Sequence, residues 1–327
     1  MTSRGAATVG GLATRAWLPE QPRAVLVERT PYGAAARVAE AAGWADHGVG
    51  LVVQDVRGRH GSPGAFHPYA EAATDDGPTL LRWVRDRVDA PVVLLGTSYG
   101  AHAALATATA VGPGPDAPEG VVVMVPALGL GETARTRGGV LQLASRLGWW
   151  LAHDVRRPWA DVVTARRRDA DRAAEVGALR TPLLAIGGAA DHFGHDTVDL
   201  WSAWGGPARL ALGPWDHGLT GARRAGRVLA WLDAVLAGTP PDDGTRPPLA
   251  VVHVDGARPT DQWCASLRRR ADGVEVAHGA ARGGRVELGP VLDPGPFDVH
   301  LATDDFPRCA RAGHPARRVP EHRLEIA

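Results

Sequence analysis

Val92-Val93-Leu94-Leu95-Gly96-Thr97-Ser98-Tyr99-Gly100-Ala101-His102 is the stretch that decides the fold of this 327-residue chain. Its first four residues form an apolar run of the kind expected for a parallel strand buried on both faces. Gly-x-Ser-x-Gly follows at once. Residues 101–110 are then small enough to form a helix lying close against a sheet. This strand–turn–helix context turns an otherwise common pentapeptide into a nucleophile elbow. So tight a turn leaves no room for side chains two residues either side of the serine, which accounts for Gly96 and Gly100. A helix starting just after Ser98 also directs its first N–H groups toward any negative charge that develops there.

Strand and helix patterns alternate on both sides of the elbow. Apolar runs predict strands at 24–29, 50–54, 92–95, 121–125, 182–186 and 208–212, and helical spacing predicts helices at 35–45, 79–88 and 228–236. Strands separated by helices imply a mainly parallel sheet covered on both faces. Residues 126–180 break the rhythm, with helical patterning and no strand signal. An insertion there would form a short helical cap over the C-terminal ends of the strands. Its Trp149, Trp150 and Trp159 are expected in a substrate pocket with Trp215, the alternative being tryptophans packed for stability. Residues 239–248, rich in proline with two aspartates and a glycine, read as a linker. Short segments at 249–254, 273–277, 285–288, 297–303 and 322–326 then predict a small all-β unit. The expected organisation is a core at 1–127, a cap at 128–180, the second part of the core at 181–238, the linker, and a β domain at 249–327.

Composition narrows the function. Arginine plus lysine and aspartate plus glutamate balance at 36 each, so neither nucleic acid nor an anionic membrane is an expected partner. The chain has no lysine and no asparagine, which reads as GC-rich coding, and Arg166-Arg167-Arg168 and Arg268-Arg269-Arg270 read as solvated faces. Residues 1–11 have no apolar core of signal-peptide length and no run approaches a membrane span. Cys264 and Cys309 do not make a disulfide framework; they are expected reduced, with a single bridge the alternative. The expected location is cytoplasmic, and the oligomeric state is left open.

A serine needs a base, and the base needs an orienting acid. Of 13 histidines, His217 stands out in Leu210-Ala211-Leu212-Gly213-Pro214-Trp215-Asp216-His217-Gly218, on the loop after the last strand of the sheet. Loops at strand C-termini are where open α/β sheets place their sites. The acid should precede the histidine in the chain, and Asp191 does so, on the loop after the preceding strand. Asp216 shares the histidine's own loop and would have to fold back to reach it.

Arg29-Thr30-Pro31-Tyr32-Gly33, Gln54-Asp55-Val56-Arg57-Gly58-Arg59-His60-Gly61-Ser62, the elbow, the stretch 181–191 and Gly213-Pro214-Trp215-Asp216-His217-Gly218 come in a distinctive order. In this they resemble the cocaine esterase and X-prolyl dipeptidyl aminopeptidase family. The resemblance implies an α/β-hydrolase fold with a C-terminal jelly-roll, here short. It also implies Ser98 as nucleophile, Asp191 and His217 as its partners, and Tyr32 as a hydroxyl donor to the oxyanion beside the Tyr99 backbone N–H. Asp55, Arg57 and Arg59 are expected to fix a turn rather than touch substrate.

Asp191-His192-Phe193-Gly194-His195-Asp196 imitates a metal motif, but its two histidines enclose a glycine and lack the i, i+4 helical register of a zinc protease. Since the triad already uses Asp191, neither metal binding there nor any other cofactor is expected. The expected function is a serine hydrolase cleaving a small-molecule carboxylic ester, with an apolar or aromatic acyl or alcohol group, through an acyl-enzyme. The alternatives are an acyltransferase or cyclase of secondary metabolism using the same triad, and an X-prolyl-type peptidase.

Overall fold

The computed structural model describes residues 2–136, 140–153, 159–188, 190–243, 249–254, 262–269, 273, 275–282, 285–290, 297–303 and 322–326. Eight strands make the principal sheet: β1 (Thr2–Val9), β2 (Leu12–Pro19), β3 (Ala24–Thr30), β4 (Val49–Asp55), β5 (Val92–Thr97), β6 (Gly120–Met124), β7 (Leu183–Gly188) and β8 (Ala208–Gly213). Their order is β1-β2-β4-β3-β5-β6-β7-β8. Strands β3 to β8 are parallel, and β2 is antiparallel to both β1 and β4. The mainly parallel sheet expected from the apolar runs is present.

Strands β3 to β7 are buried on both faces, which explains their apolar runs. Val25, Val27, Val92, Leu94, Val121 and Val123 point to one layer, packed by Leu80, Leu81 and Val84 of α2 (Asp76–Arg85) and Ala101, Ala104 and Leu105 of α3 (Tyr99–Val111). Their chain neighbours Ala24, Leu26, Val93, Leu95, Val122 and Met124 face the other layer, with Ala41 and Trp44 of α1 (Val38–Ala45) and Val228, Trp231 and Leu232 of α9 (Arg224–Leu236). The two-residue repeat of a strand therefore divides one apolar run between two cores.

This arrangement positions the site. From β3 the chain crosses one face by α1 to β4, whereas from β5 it crosses the other face by α3 to β6. Adjacent parallel strands whose connections leave in opposite directions open a crevice at their C-terminal ends. Tyr32 follows β3 and Ser98 follows β5, so both residues border that crevice.

Several elements depart from the expected boundaries; α9 starts four residues early and a strand at Gln262–Arg269 was not expected. Helix α2 starts at Asp76 rather than near 79, because Pro78 fits a first helical turn and Gly77 lets the helix press on α3. A Cβ on Gly77 would stand 2.1 Å from Thr107 Oγ1. The β1–β2 hairpin was also unforeseen; it turns through Gly10 and Gly11 at φ 58° and 81°, the left-handed pair that a two-residue hairpin favours.

Between β6 and β7 lie α4 (Leu130–Ala134), α5 (Leu143–Ala152), α6 (Trp159–Thr164) and α7 (Asp169–Gly177), and α8 (Gly194–Ala203) follows β7. The chain divides into two compact units, one of residues 1–133 and 144–244 and one of residues 134–143 and 245–327. In the second, β9 (Leu249–Val254), β10 (Gln262–Arg269), β11 (Glu275–Arg282), β12 (Arg285–Pro290), β13 (Phe297–Thr303) and β14 (His322–Ile326) form two three-stranded antiparallel sheets, ordered β11-β10-β13 and β12-β9-β14. Residues 244–248 of the expected linker, Cys309 and the side chain of Cys264 lie outside the described residues. Among the described residues no helix is long and apolar enough to cross a membrane.

Candidate active site

Ser98 occupies the turn between β5 and α3 at φ 54° and ψ −117°, a conformation that costs a non-glycine residue about 1–3 kcal/mol. Three backbone hydrogen bonds hold it there. Ser98 N–H donates to Met124 O at 2.8 Å, and the Ser98 carbonyl accepts from Ala101 and Ala127, both at 3.1 Å. Contact requires glycine at 96, where a Cβ would stand 2.2 Å from Gly100 O, whereas a Cβ on Gly100 would approach Arg29 O tightly, at 3.3 Å.

The loops after β7 and β8 bring the acid and the imidazole to the serine. His217 Nε2 lies 3.0 Å from Ser98 Oγ, and His217 Nδ1 lies 2.8 Å from Asp191 Oδ1. A carboxylate can only accept here, so Nδ1 carries the proton and Nε2 is free to accept from the serine hydroxyl. The Asp191 side chain is fully buried, while His217 is 40% exposed. The two loops are tied directly by Ala190 N–H to Trp215 O at 3.1 Å. Asp216 turns elsewhere, accepting from Gly218 N–H at 3.1 Å.

Tyr32 stands across the crevice. Trp149 Nε1 donates to its hydroxyl oxygen at 3.3 Å, and His153 packs edge-on against its ring. Trp149 stacks on Tyr99 at 5.6 Å and on His153 at 4.4 Å, and Phe66 and Tyr69 lie within 6.4 Å of it. Arg59 fastens this group by donating to both Pro31 O and His153 O, at 3.2 and 2.6 Å. Asp55 accepts from Ala34 N–H at 2.6 Å and Arg57 pairs with Asp76 at 2.6 Å, so both brace loops.

Of the other expected pocket tryptophans, Trp150 meets Trp149 edge-on with ring centroids 6.4 Å apart. Trp150 is buried beneath α5, and Trp215 packs against the layer that includes α9, under the Arg227 guanidinium. The Trp159 side chain lies outside the described residues.

The X-Pro dipeptidyl-peptidase family (S15 family) matches residues 11–175, half of the chain. The chain belongs to this family. The match runs from β2 to α7 and includes Tyr32 and Ser98, whereas Asp191 and His217 follow it. Comparison with curated proteins gives no match. Among solved structures, a CocE/NonD family hydrolase from Staphylococcus aureus superposes with a TM-score of 0.60 at 11% identity, over 91% of this chain and 81% of that one. An aminopeptidase from a marine sediment Thaumarchaeota archaeon gives 0.58 at 14% identity, over 94% and 89%. An α-amino acid ester hydrolase gives 0.54 at 14% identity, over 93% and 86%. At such identities these likenesses establish the fold, which is that of the α/β hydrolases.

In this X-Pro dipeptidyl-peptidase family member a buried polar group lies behind the elbow, which sequence patterning did not disclose. The Tyr99 hydroxyl donates to Glu71 Oε1 and accepts from Tyr69 N–H at 3.0 Å. His102 Nε2 is 3.3 Å from Glu71 Oε2, and its Nδ1 is 2.9 Å from Leu128 O. Burial pushes the Glu71 carboxyl up, but His102, Tyr99 and Arg29 outweigh it and hold the group below the usual range. Burial, then the Glu71 charge, pushes the Tyr99 phenol well up, so it stays a neutral donor. Glu28 contrasts with Glu71: burial raises its pKa to about 7 although Arg37 donates to it at 2.6 Å.

Proposed function

We propose that this protein is a serine hydrolase that cleaves a small carboxylic ester through an acyl-enzyme. The observation that carries the reading is the unbroken Ser98–His217–Asp191 hydrogen-bond chain at the strand ends. Ser98 Oγ attacks the ester carbonyl while His217 Nε2 takes its proton. The tetrahedral intermediate collapses, the same proton passes to the departing alkoxide, and the acyl group stays on Ser98. His217 then takes a proton from water, whose oxygen attacks the acyl carbon. Returning that proton to Ser98 Oγ releases the acid.

The oxyanion is held by the Tyr99 backbone N–H at the start of α3 and by the Tyr32 hydroxyl. The Trp149 N–H supports the second role, because it occupies a lone pair of the phenol oxygen and leaves the O–H proton to donate elsewhere. The rings of Trp149, Phe66 and Tyr69 favour an aromatic or apolar substituent on the substrate. An ester is favoured over a peptide with a free amino terminus because Glu28 and Glu71 are engaged internally by Arg37 and Tyr99. Neither carboxylate is left to pair with an ammonium group.

The test is a fluorophosphonate adduct mapped by mass spectrometry together with turnover of an ester panel graded by acyl size. The adduct should sit on Ser98, and aromatic or apolar esters should be turned over with water as acceptor even when a simple alcohol is added. An adduct on Ser145 or Ser202, or acyl transfer to the alcohol in preference to water, would sink the reading.

Tyr32→Phe should lower kcat by about 10²–10³ with KM nearly unchanged, because the hydroxyl donates only once negative charge develops. The ring contacts are kept. Steady-state kinetics showing a normal kcat would move the second donor elsewhere.

A further inference from the structure

The loop after β7 holds a second imidazole that the proposed reaction does not use. His192 Nδ1 lies 3.2 Å from Asp191 Oδ1, the oxygen that His217 Nδ1 reaches at 2.8 Å. The two imidazoles stack with centroids 4.7 Å apart, and Phe193 packs against both. Two nitrogens and one carboxylate therefore converge, with all ligand atoms within 4.8 Å of one another.

We infer that Asp191, His192 and His217 form a binding site for a zinc-type divalent cation, whose occupancy switches hydrolysis off; the effect on activity rests on the serine-hydrolase reading above. Two imidazoles with a carboxylate suit zinc, leaving a fourth tetrahedral position for water. Bonds of about 2.0–2.1 Å to a tetrahedral ion place ligand atoms roughly 3.4 Å apart. His192 Nδ1 is already near that separation from Oδ1, whereas His217 Nδ1 has to draw back by about 0.6 Å and the stacked rings have to turn so that both nitrogens face the ion. Asp191 Oδ2 is buried without a hydrogen-bond partner, so the carboxylate keeps unused acceptor capacity. At 39% and 40% exposure the two imidazole side chains leave the ion a path from solvent.

The inhibition follows from tautomers. A metal on His217 Nδ1 takes the lone pair of the nitrogen that carries the proton in the triad. The proton must then reside on Nε2, which faces Ser98. An imidazole protonated there cannot accept from the serine, so the nucleophile loses its base.

Zinc chloride is titrated into chelator-treated full-length protein by calorimetry, and ester turnover is read in parallel. One equivalent should bind as activity falls, a chelator should restore activity, and magnesium should do neither because it prefers oxygen ligands. His192→Gln, and His192→Ala as a second variant, should weaken zinc binding at least about tenfold, the loss that even outer partners of a metal ligand can cause. Each variant's inhibition is measured against its own metal-free rate. His195→Gln should bind zinc as the parent does. Equal zinc affinity in both His192 variants, or undiminished inhibition, overturns the site. Failure of metal-free protein to label at Ser98 would instead overturn the hydrolase reading, leaving the calorimetry to judge the metal site by itself.

Discussion

Ser98→Ala is expected to lower kcat by about 10⁶ and to abolish fluorophosphonate labelling, while the protein still folds and binds ester. Losses of that size accompany removal of a triad nucleophile, and what remains comes from the oxyanion donors and binding alone. The Oγ lies 3.0 Å from His217 Nε2 and is the only atom removed. Alanine keeps the Cβ, and the backbone bonds to Met124, Ala101 and Ala127 that fix the turn do not involve the side chain. The melting temperature should therefore hold, so a lost rate cannot be confused with a lost fold. Steady-state turnover beside a thermal melt decides it, and activity within tenfold of the parent would place the nucleophile elsewhere.

Asp191→Asn is expected to cost about 10⁴ in kcat at neutral pH, by analogy with the protease triad in which the acid holds the imidazole tautomer. The Asp191 side chain is fully buried and accepts from His217 Nδ1 at 2.8 Å. An amide can turn its NH₂ toward that nitrogen, which makes Nδ1 an acceptor and leaves the proton on Nε2. Asp216→Asn should cost far less, since Asp216 accepts from its own loop at Gly218. Kinetics on both variants, with circular dichroism to check folding, separates the two acids; a larger loss at Asp216 would reverse the assignment.

The strands from β3 to β7 were legible because burial on both faces leaves apolar runs in the sequence. β1 and β2 were not, since Ala, Thr, Arg and Gly in an edge hairpin lack such a run. Only the Gly10-Gly11 pair marked the turn. Ser98, Asp191 and His217 could be singled out because each sits in the loop that follows an apolar strand. The aromatic group was harder to foresee. Adjacent residues on a helix point about 100° apart, so Trp149 and Trp150 present their rings differently although they meet edge-on. Trp149 meets Tyr32, and Trp150 is buried. Phe66, Tyr69, Glu71 and His153 meet across loops, where no periodicity signals a contact. The motif at 191–196 drew attention to His192 and His195 as a pair, whereas the fold stacks His192 on His217 from the next loop.

The sheet extends outward from β5 in chain order, with β6, β7 and β8 added one beside another. Ser98 and His217 are 119 residues apart in the chain, and Asp191 and His217 are 26 apart. Chains emerge from the ribosome amino end first. A chain that has emerged only as far as β6 has the strands that shape the serine turn, yet neither acid nor base. On the proposed serine-hydrolase reading, reactivity would arise when β8 docks, after nearly all of the parallel sheet has been laid down. On that reading the growing polypeptide would be spared an activated serine until the fold that shelters it exists.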